Sequence, residues 1–180
     1  MAGHATRWGW HRLDRRWASR LVALAGVEPG DLVLDIGAGT GAITEVLVAR
    51  GATVVAVELH PGRAAALRTR FAGRPVRVVR ADAADLRLPR RPFKVVANPP
   101  FGITTALLRR LTAPASPLEG AGLVLPAWAA ARWANGRGTG GAAARRTFHC
   151  MLGPRVPARA FRPAPPADAR VLLITRSQRW

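Results

Sequence analysis

Short apolar runs alternate along the chain with stretches whose apolar residues recur at helical spacing. Asp31 to Ile36 (DLVLDI), Ala52 to Glu58 (ATVVAVE), Val76 to Ala81 (VRVVRA), Phe93 to Ala97 (FKVVA) and Ala121 to Leu125 predict five strands. Ala42 to Arg50, about Gly62 to Phe71 and about Thr104 to Leu111 predict helices between them, the order expected of a parallel sheet with helices on both faces. Ahead of the sheet, Leu13 to Ala25 predicts an amphipathic helix with Trp17, Leu21 and Leu24 on one face, and Ala127 to Trp133 predicts a short helix after the fifth strand. Thr147 to Leu152 and Val171 to Thr175 predict two last strands. They pair antiparallel, because the Pro-rich link GPRVPARAFRPAPPADA has no helical pattern. Asn135 to Arg146 (NGRGTGGAAARR) is too poor in large apolar residues to pack and predicts a mobile loop.

Length and composition narrow this picture. At 180 residues and 19.2 kDa the chain reads as one domain, residues 1–180, with a basic segment and helix at 1–26. Mean hydropathy is +0.06, and no apolar run approaches the roughly 18 residues of a membrane span. The start, MAGHATRWGWHRLDRRW, has basic residues but no apolar core, so no secretory signal is expected and a cytoplasmic location is. The lone Cys150 excludes an internal disulfide, and the four histidines show no metal-ligand spacing with it, so no metal is expected.

Charge changes the picture most. The formal net charge is +18, and all but one of the 28 basic residues are arginine, the exception being Lys94. Codon bias explains arginine over lysine but not 28 bases against 10 acids. Such a field attracts polyanions, which makes nucleic acid the expected partner.

Gly37, Gly39 and Gly41 follow the first strand and open a helix, so the backbone there can turn tightly and approach a ligand with no Cβ in the way. Gly37-x-Gly39-x-x-Ala42 also satisfies a dinucleotide fingerprint, so the glycines alone do not choose a cofactor. Glu58, 19 residues after Gly39 at the end of the second strand, is placed to accept from both hydroxyls of a ribose. Asp82, with Ala83 beside it, is placed at the end of the third strand for an adenine amine, while Asp85 reads as a helix cap. Asp35, two residues before the first glycine, sits at the polar end of such a ligand. An anion there favours the ammonium of S-adenosylmethionine over the phosphates of a dinucleotide.

The fourth strand ends in Ala97-Asn98-Pro99-Pro100-Phe101-Gly102. An exocyclic amine on adenine, or a carboxamide, is a poor nucleophile because its lone pair is delocalised. Two acceptors held at tetrahedral angles would bind its hydrogens and free that lone pair for attack on a sulfonium methyl. The Asn98 side-chain oxygen and the Pro99 carbonyl are such acceptors, Pro100 biases Pro99 toward an extended shape, and Phe101 can stack on a flipped-out base.

With these residues in view, the chain resembles the rRNA adenine N6-methyltransferases of the erythromycin-resistance branch. The resemblance runs through WGWHRLDRRWASRLV, LVLDIGAGTGAIT, VVAVELHPGRAAALRTRF, VRADAADLRLP and FKVVANPPFGITTALLRRL, and AFRPAPPADARVLLI is similar to that branch's F-x-P-x-P-x-x-D-x-x-V signature. It implies an α/β, Rossmann-like class I methyltransferase fold with a mostly parallel seven-stranded sheet, and S-adenosyl-L-methionine as the cofactor. It further implies N6-methylation of one adenine in the peptidyl-transferase loop of 23S rRNA, and resistance to macrolide, lincosamide and streptogramin B antibiotics. A small-subunit 16S rRNA dimethyltransferase, or a non-catalytic RNA-binding ribosome factor, stands as the alternative.

Cofactor contacts carried over by the resemblance fall on His11, Leu13, Gly37, Glu58, Asp82 and Asn98, with Gly39 and Ala83 as further cofactor-binding candidates beside them, and the base-stacking ring on Phe101. Many relatives have Gln-Asn or Gln-His where this chain has Trp10-His11. The chain stops just after its last strand, as short actinobacterial members do, so the expectation is a monomer with no separate C-terminal RNA-binding domain. RNA contacts are then expected from Arg7, Trp8, Arg12, Arg15 and Arg16, from Arg109 and Arg110, and from Arg137, Arg145 and Arg146, while Trp17 is expected to pack in the core.

Overall fold

The computed structural model describes residues 11–138 and 141–177. Arg7 and Trp8 lie outside them. The element order is β1 (Arg12–Leu13), α1 (Arg15–Leu24), β2 (Leu32–Ile36), α2 (Ala42–Ala49), β3 (Thr53–Val57), α3 (Pro61–Arg70), β4 (Val76–Val79), β5 (Phe93–Ala97), α4 (Thr104–Leu111), β6 (Leu118–Pro126), α5 (Ala127–Ala134), α6 (Gly141–Thr147), β7 (Phe148–Val156), β8 (Phe161–Arg162) and β9 (Ala169–Arg176). Seven strands form one sheet in the order β4-β3-β2-β5-β6-β9-β7, parallel from β4 to β6, with β9 antiparallel to both of its neighbours. All seven predicted strands belong to it.

Residue alternation explains how the sheet is covered on both sides. Along β6, Leu123 and Leu125 join a core with α4 (Leu107, Leu108, Leu111) and α5 (Ala130, Trp133). Val124 between them joins the opposite core with α1 (Leu21, Val22) and α2 (Ile43, Leu47). Both faces are apolar, so the strands read as continuous hydrophobic runs. Between β4 and β5 only a 3₁₀ turn, Ala83–Asp85, intervenes. The sheet face beneath that link opens into a groove of about 590 Å³ lined by Leu32, Leu34, Val55, Val79, Leu88 and Arg77 among others.

Three expectations are corrected. In α1 the buried positions are Ala18, Leu21 and Val22, with half-buried Trp17 packed against the same core and the Arg20 guanidinium 4.7 Å above its ring, whereas Leu24 is 37% exposed. The true stripe follows i, i+3, i+4 and leaves Leu24 at its edge. Residues 135–146 are not one loop, because the segment Gly141–Thr147 is helical. Its three alanines have the highest intrinsic helix propensity, which substitutes for missing apolar bulk. The link between the last two sheet strands is also structured: it holds the 3₁₀ turn Ala158–Ala160 and then β8, which pairs antiparallel with β1 in a separate two-stranded ladder.

Candidate active site

The glycine loop, the NPPF turn and the β1–β8 ladder converge at the carboxyl ends of β2, β3 and β5, the edge where open α/β sheets bind ligands. Gly37 and Gly39 adopt φ of +77° and +58°. A Cβ on Gly37 would lie 3.2 Å from Pro100 Cδ and 3.5 Å from Pro99 Cα. The loop and the turn are therefore in backbone contact, and Gly37 is the residue that permits it.

Glu58 holds this loop from the next strand. It is 3% exposed, its Oε2 accepts from the Gly39 N–H at 2.9 Å, and its Oε1 accepts from the His60 N–H at 2.8 Å and from Arg63 Nη2 at 3.0 Å. Each carboxylate oxygen has two lone pairs, so Oε2 can still accept from a ribose hydroxyl. Leu59 beside it is 40% exposed, an apolar surface at the strand ends suited to one face of a planar base. Asp82 is exposed at the end of β4, and its Oδ1 accepts from the Ala84 N–H at 2.8 Å. The 3₁₀ cap is thus Asp82, not Asp85 as the sequence suggested, because Asp85 instead faces Arg110 at 3.3 Å. Ala83 is buried against the core beneath.

Asp35 is the unusual group. It is fully buried at the end of β2, its Oδ2 accepts from Thr44 Oγ1 at 2.6 Å, and its Oδ1 has no partner among the described residues. Burial pushes its carboxyl up to about 7, against the lowering effect of the Thr44 bonds. It lines a cavity of about 20 Å³ together with His11, Leu13, Gly37, Ala38, Thr40 and Asn98. A buried acceptor without a donor fits a cationic ligand group, and the ammonium end of S-adenosylmethionine is one. A larger cavity of about 180 Å³, lined by Trp133, Phe148, Cys150 and Arg145 among others, lies beside the start of β7 at the opposite ends of the strands.

His11 joins three distant segments. Its carbonyl accepts from Asn98 Nδ2 at 2.6 Å, its Nδ1 donates to the Pro163 carbonyl at 3.0 Å, and its ring centroid lies 6.2 Å from that of Phe101. A carbonyl only accepts, so the Asn98 amide must turn its NH₂ toward His11 and leave Oδ1 as the free acceptor. The β1–β8 ladder pairs Arg12 with Arg162 and Leu13 with Phe161, and the Asp14 N–H donates to the Ala160 carbonyl at 2.8 Å. The FRPAPPAD segment therefore clamps the N-terminal strand over the crevice.

The structure brings His11, Leu13, Gly37, Gly39, Glu58, Asn98, Pro99 and Phe101 to this edge. It divides the candidate RNA contacts. Arg12, Arg15 and Arg16 are exposed beside the crevice. Arg109 and Arg110 sit in the last turn of α4, while Arg137, Arg145 and Arg146 follow α5, all toward the opposite ends of the strands. Arg110 also donates to the Leu86 carbonyl and to Asp85. Thr44, Leu59 and Pro163 were missed by sequence reasoning. Thr44 had a signal, being one helical turn inside α2 from a strand-end acid, whereas Pro163 had none.

Among the described residues no group of three or more His, Cys, Asp or Glu side chains could hold a metal, and no helix is long and apolar enough to cross a membrane.

Residues 12–179 match the family described as ribosomal RNA adenine dimethylase. A rRNA adenine N-6-methyltransferase of Corynebacterium diphtheriae is 36% identical over 80% of this chain and 57% of its own length. A Ribosomal RNA small subunit methyltransferase A of Synechococcus is 39% identical over 79% of this chain and 54% of its own. The Mycinamicin-resistance protein MyrB of Micromonospora griseorubida is 36% identical over 91% and 53%. This chain thus spans little more than half the length of those three relatives. Among solved structures, the 23S rRNA methyltransferase ErmE superposes with a TM-score of 0.82 at 28% identity, over 93% of this chain and 70% of that one. The matched residues hold the glycine loop, the NPPF turn and the FRPAPPAD segment, and the chain belongs to the ribosomal RNA adenine dimethylase family.

Proposed function

We propose that this protein is an S-adenosylmethionine-dependent methyltransferase that modifies N6 of one adenine in the peptidyl-transferase loop of 23S rRNA and thereby confers macrolide, lincosamide and streptogramin B resistance. The observation that carries it is the Asn98 amide, turned by the His11 carbonyl so that Oδ1 is left to accept.

When bound, S-adenosylmethionine supplies an electrophilic methyl on a sulfonium. Asp35 receives the ammonium end, Glu58 and Gly39 the ribose, and Leu59 and Asp82 the adenine. Phe101, half-buried beside His11, stacks on the target base. Asn98 Oδ1 and the Pro99 carbonyl accept the two N6 hydrogens and restore the nitrogen lone pair. As that nitrogen becomes cationic in the transition state, both hydrogen bonds strengthen, which is where they lower the barrier. The proton leaves to water afterwards, so no general base is required.

The resistance name of one relative and the 23S title of the structural neighbour support the large subunit as target. The 39% identity to a small-subunit methyltransferase supports 16S rRNA as the second reading. Incubation of both rRNAs from a sensitive strain with methyl-labelled S-adenosylmethionine tests them. Label in 23S rRNA, lost in Asn98→Ala, is the expected result; label confined to 16S rRNA refutes the 23S assignment, and no label in either refutes the activity.

A further inference from the structure

Trp128 is 64% exposed, the most exposed of the large apolar side chains among the described residues. It occupies the second position of α5, immediately after β6 ends at Pro126. β6 is the parallel neighbour of β5, with Ala97 level with Leu123. The three residues Val124–Pro126 therefore run alongside the Asn98–Pro100 turn, with adjacent strands about 4.8 Å apart. Trp128, in the first turn of α5, stands at the same sheet edge as the Asn98 turn, on the face that carries α4.

The rest of α5 explains its own residues through packing: Ala129, Ala130 and Trp133 are buried against the sheet. Trp128 is not needed there. Its neighbours point to an anionic partner. Arg132, one helical turn on and therefore on the same side, is exposed, with its Nε held by the Arg137 carbonyl at 3.0 Å. Asp168, whose carbonyl accepts from the Ala127 N–H, is ion-paired with Arg155 at 2.7 Å. An exposed ring on the same helix side as an exposed arginine, in a chain of net charge +18, suits single-stranded nucleic acid, whose bases stack and whose phosphates are neutralised by arginine.

We propose that Trp128 is a stacking platform for an unpaired RNA base flanking the one presented to Asn98, and so helps set which adenine is chosen. The inference deepens the methyltransferase reading and rests on it for the identity of the target, but not for RNA binding itself. It adds to Trp8, the sequence candidate, an aromatic position that no sequence motif marks.

The test uses the full chain and binding titrations with a short adenine-rich single-stranded oligoribonucleotide and with the same sequence as a duplex, by fluorescence anisotropy. Trp128→Ala is expected to weaken single-strand binding about 5- to 100-fold, the loss of one base–aromatic stack, and Trp128→Phe to recover most of it. Duplex binding, S-adenosylmethionine affinity and thermal stability should change little, since the side chain is exposed. If single-strand binding is unchanged in Trp128→Ala, the proposal is overturned. The same holds if both RNA forms weaken equally, which would indicate a general charge or folding effect. Loss of methyl transfer to any rRNA in the unmodified protein, with Trp128-dependent binding intact, overturns the methyltransferase reading and leaves this one standing.

Discussion

Replacing Asp35 by asparagine separates the charge of this group from its shape. The carboxyl is fully buried, is hydrogen-bonded by Thr44, and leaves Oδ1 without a donor among the described residues, so its charged form is disfavoured and its pKa rises from 3.8 to about 7. Roughly three units at about 1.4 kcal/mol each put the cost of the bare carboxylate near 4 kcal/mol as an upper bound. The native state binds a proton here more tightly than the unfolded chain does. The resulting stabilisation is fully present below pH 3.8 and lost progressively until about pH 7, above which it is constant. Asparagine cannot ionise and has no such slope. The stability of Asp35→Asn relative to the unmodified protein should therefore rise by about 2–3 kcal/mol between pH 5 and pH 8 in urea titrations.

Ligand binding carries the opposite sign. An ammonium against Oδ1 restores the carboxylate, so S-adenosylmethionine binding should release a proton below pH 7 and tighten as pH approaches 7. Calorimetry in two buffers of different ionisation enthalpy measures that proton, and the asparagine variant should release none while binding more weakly. An equal stability gap at pH 5 and pH 8 would falsify the claim that burial raises the Asp35 pKa.

Other expectations follow from packing and exposure. A Cβ on Gly41, at φ +87°, would lie 2.7 Å from Phe71 Cε2 and 2.9 Å from Leu67 Cδ2, so Gly41→Ala should destabilise by about 2 kcal/mol or more in denaturant titrations. Phe161 is fully buried under the β1–β8 ladder, and Phe161→Ala should lower stability by about 3–5 kcal/mol. Because Phe161 pairs with Leu13 next to the Asn98 contact, that variant should also lose methyl transfer in conditions where it is still folded by circular dichroism. Burial pushes the Cys150 thiol up to about 11, so only about one molecule in a thousand carries the thiolate at pH 8, and alkylation by iodoacetamide should run about two orders of magnitude slower than at a free thiol.

Much of the architecture was legible because its signals are local. Continuous apolar runs marked strands buried on both faces, and β5 and α4 fall where the pattern put them, at Phe93–Ala97 and Thr104–Leu111. Gly37 and the NPPF turn could be read because a positive φ and a proline pair constrain the backbone whatever surrounds them. The misreadings arose where long-range packing overrides a local cue. Leu24 lies at the edge of a helix face that only the sheet beneath defines, and Asp82 took the cap that the sequence assigned to Asp85, which instead faces Arg110.

What the sequence by itself determined is the order of elements, the residue types of the crevice and the strong positive charge, since each depends on neighbours in the chain or on summed charge. Tertiary structure alone decided the rest. His11 meets Asn98 across 87 positions and Pro163 across 152, and no local pattern encodes the direction in which the Asn98 amide then points. The same folding buries Asp35 without a second donor, and it sorts the arginines to opposite ends of the strands. Protonation and proximity depend on which groups the closed sheet brings together and how far it excludes water, and those are properties of the packed molecule.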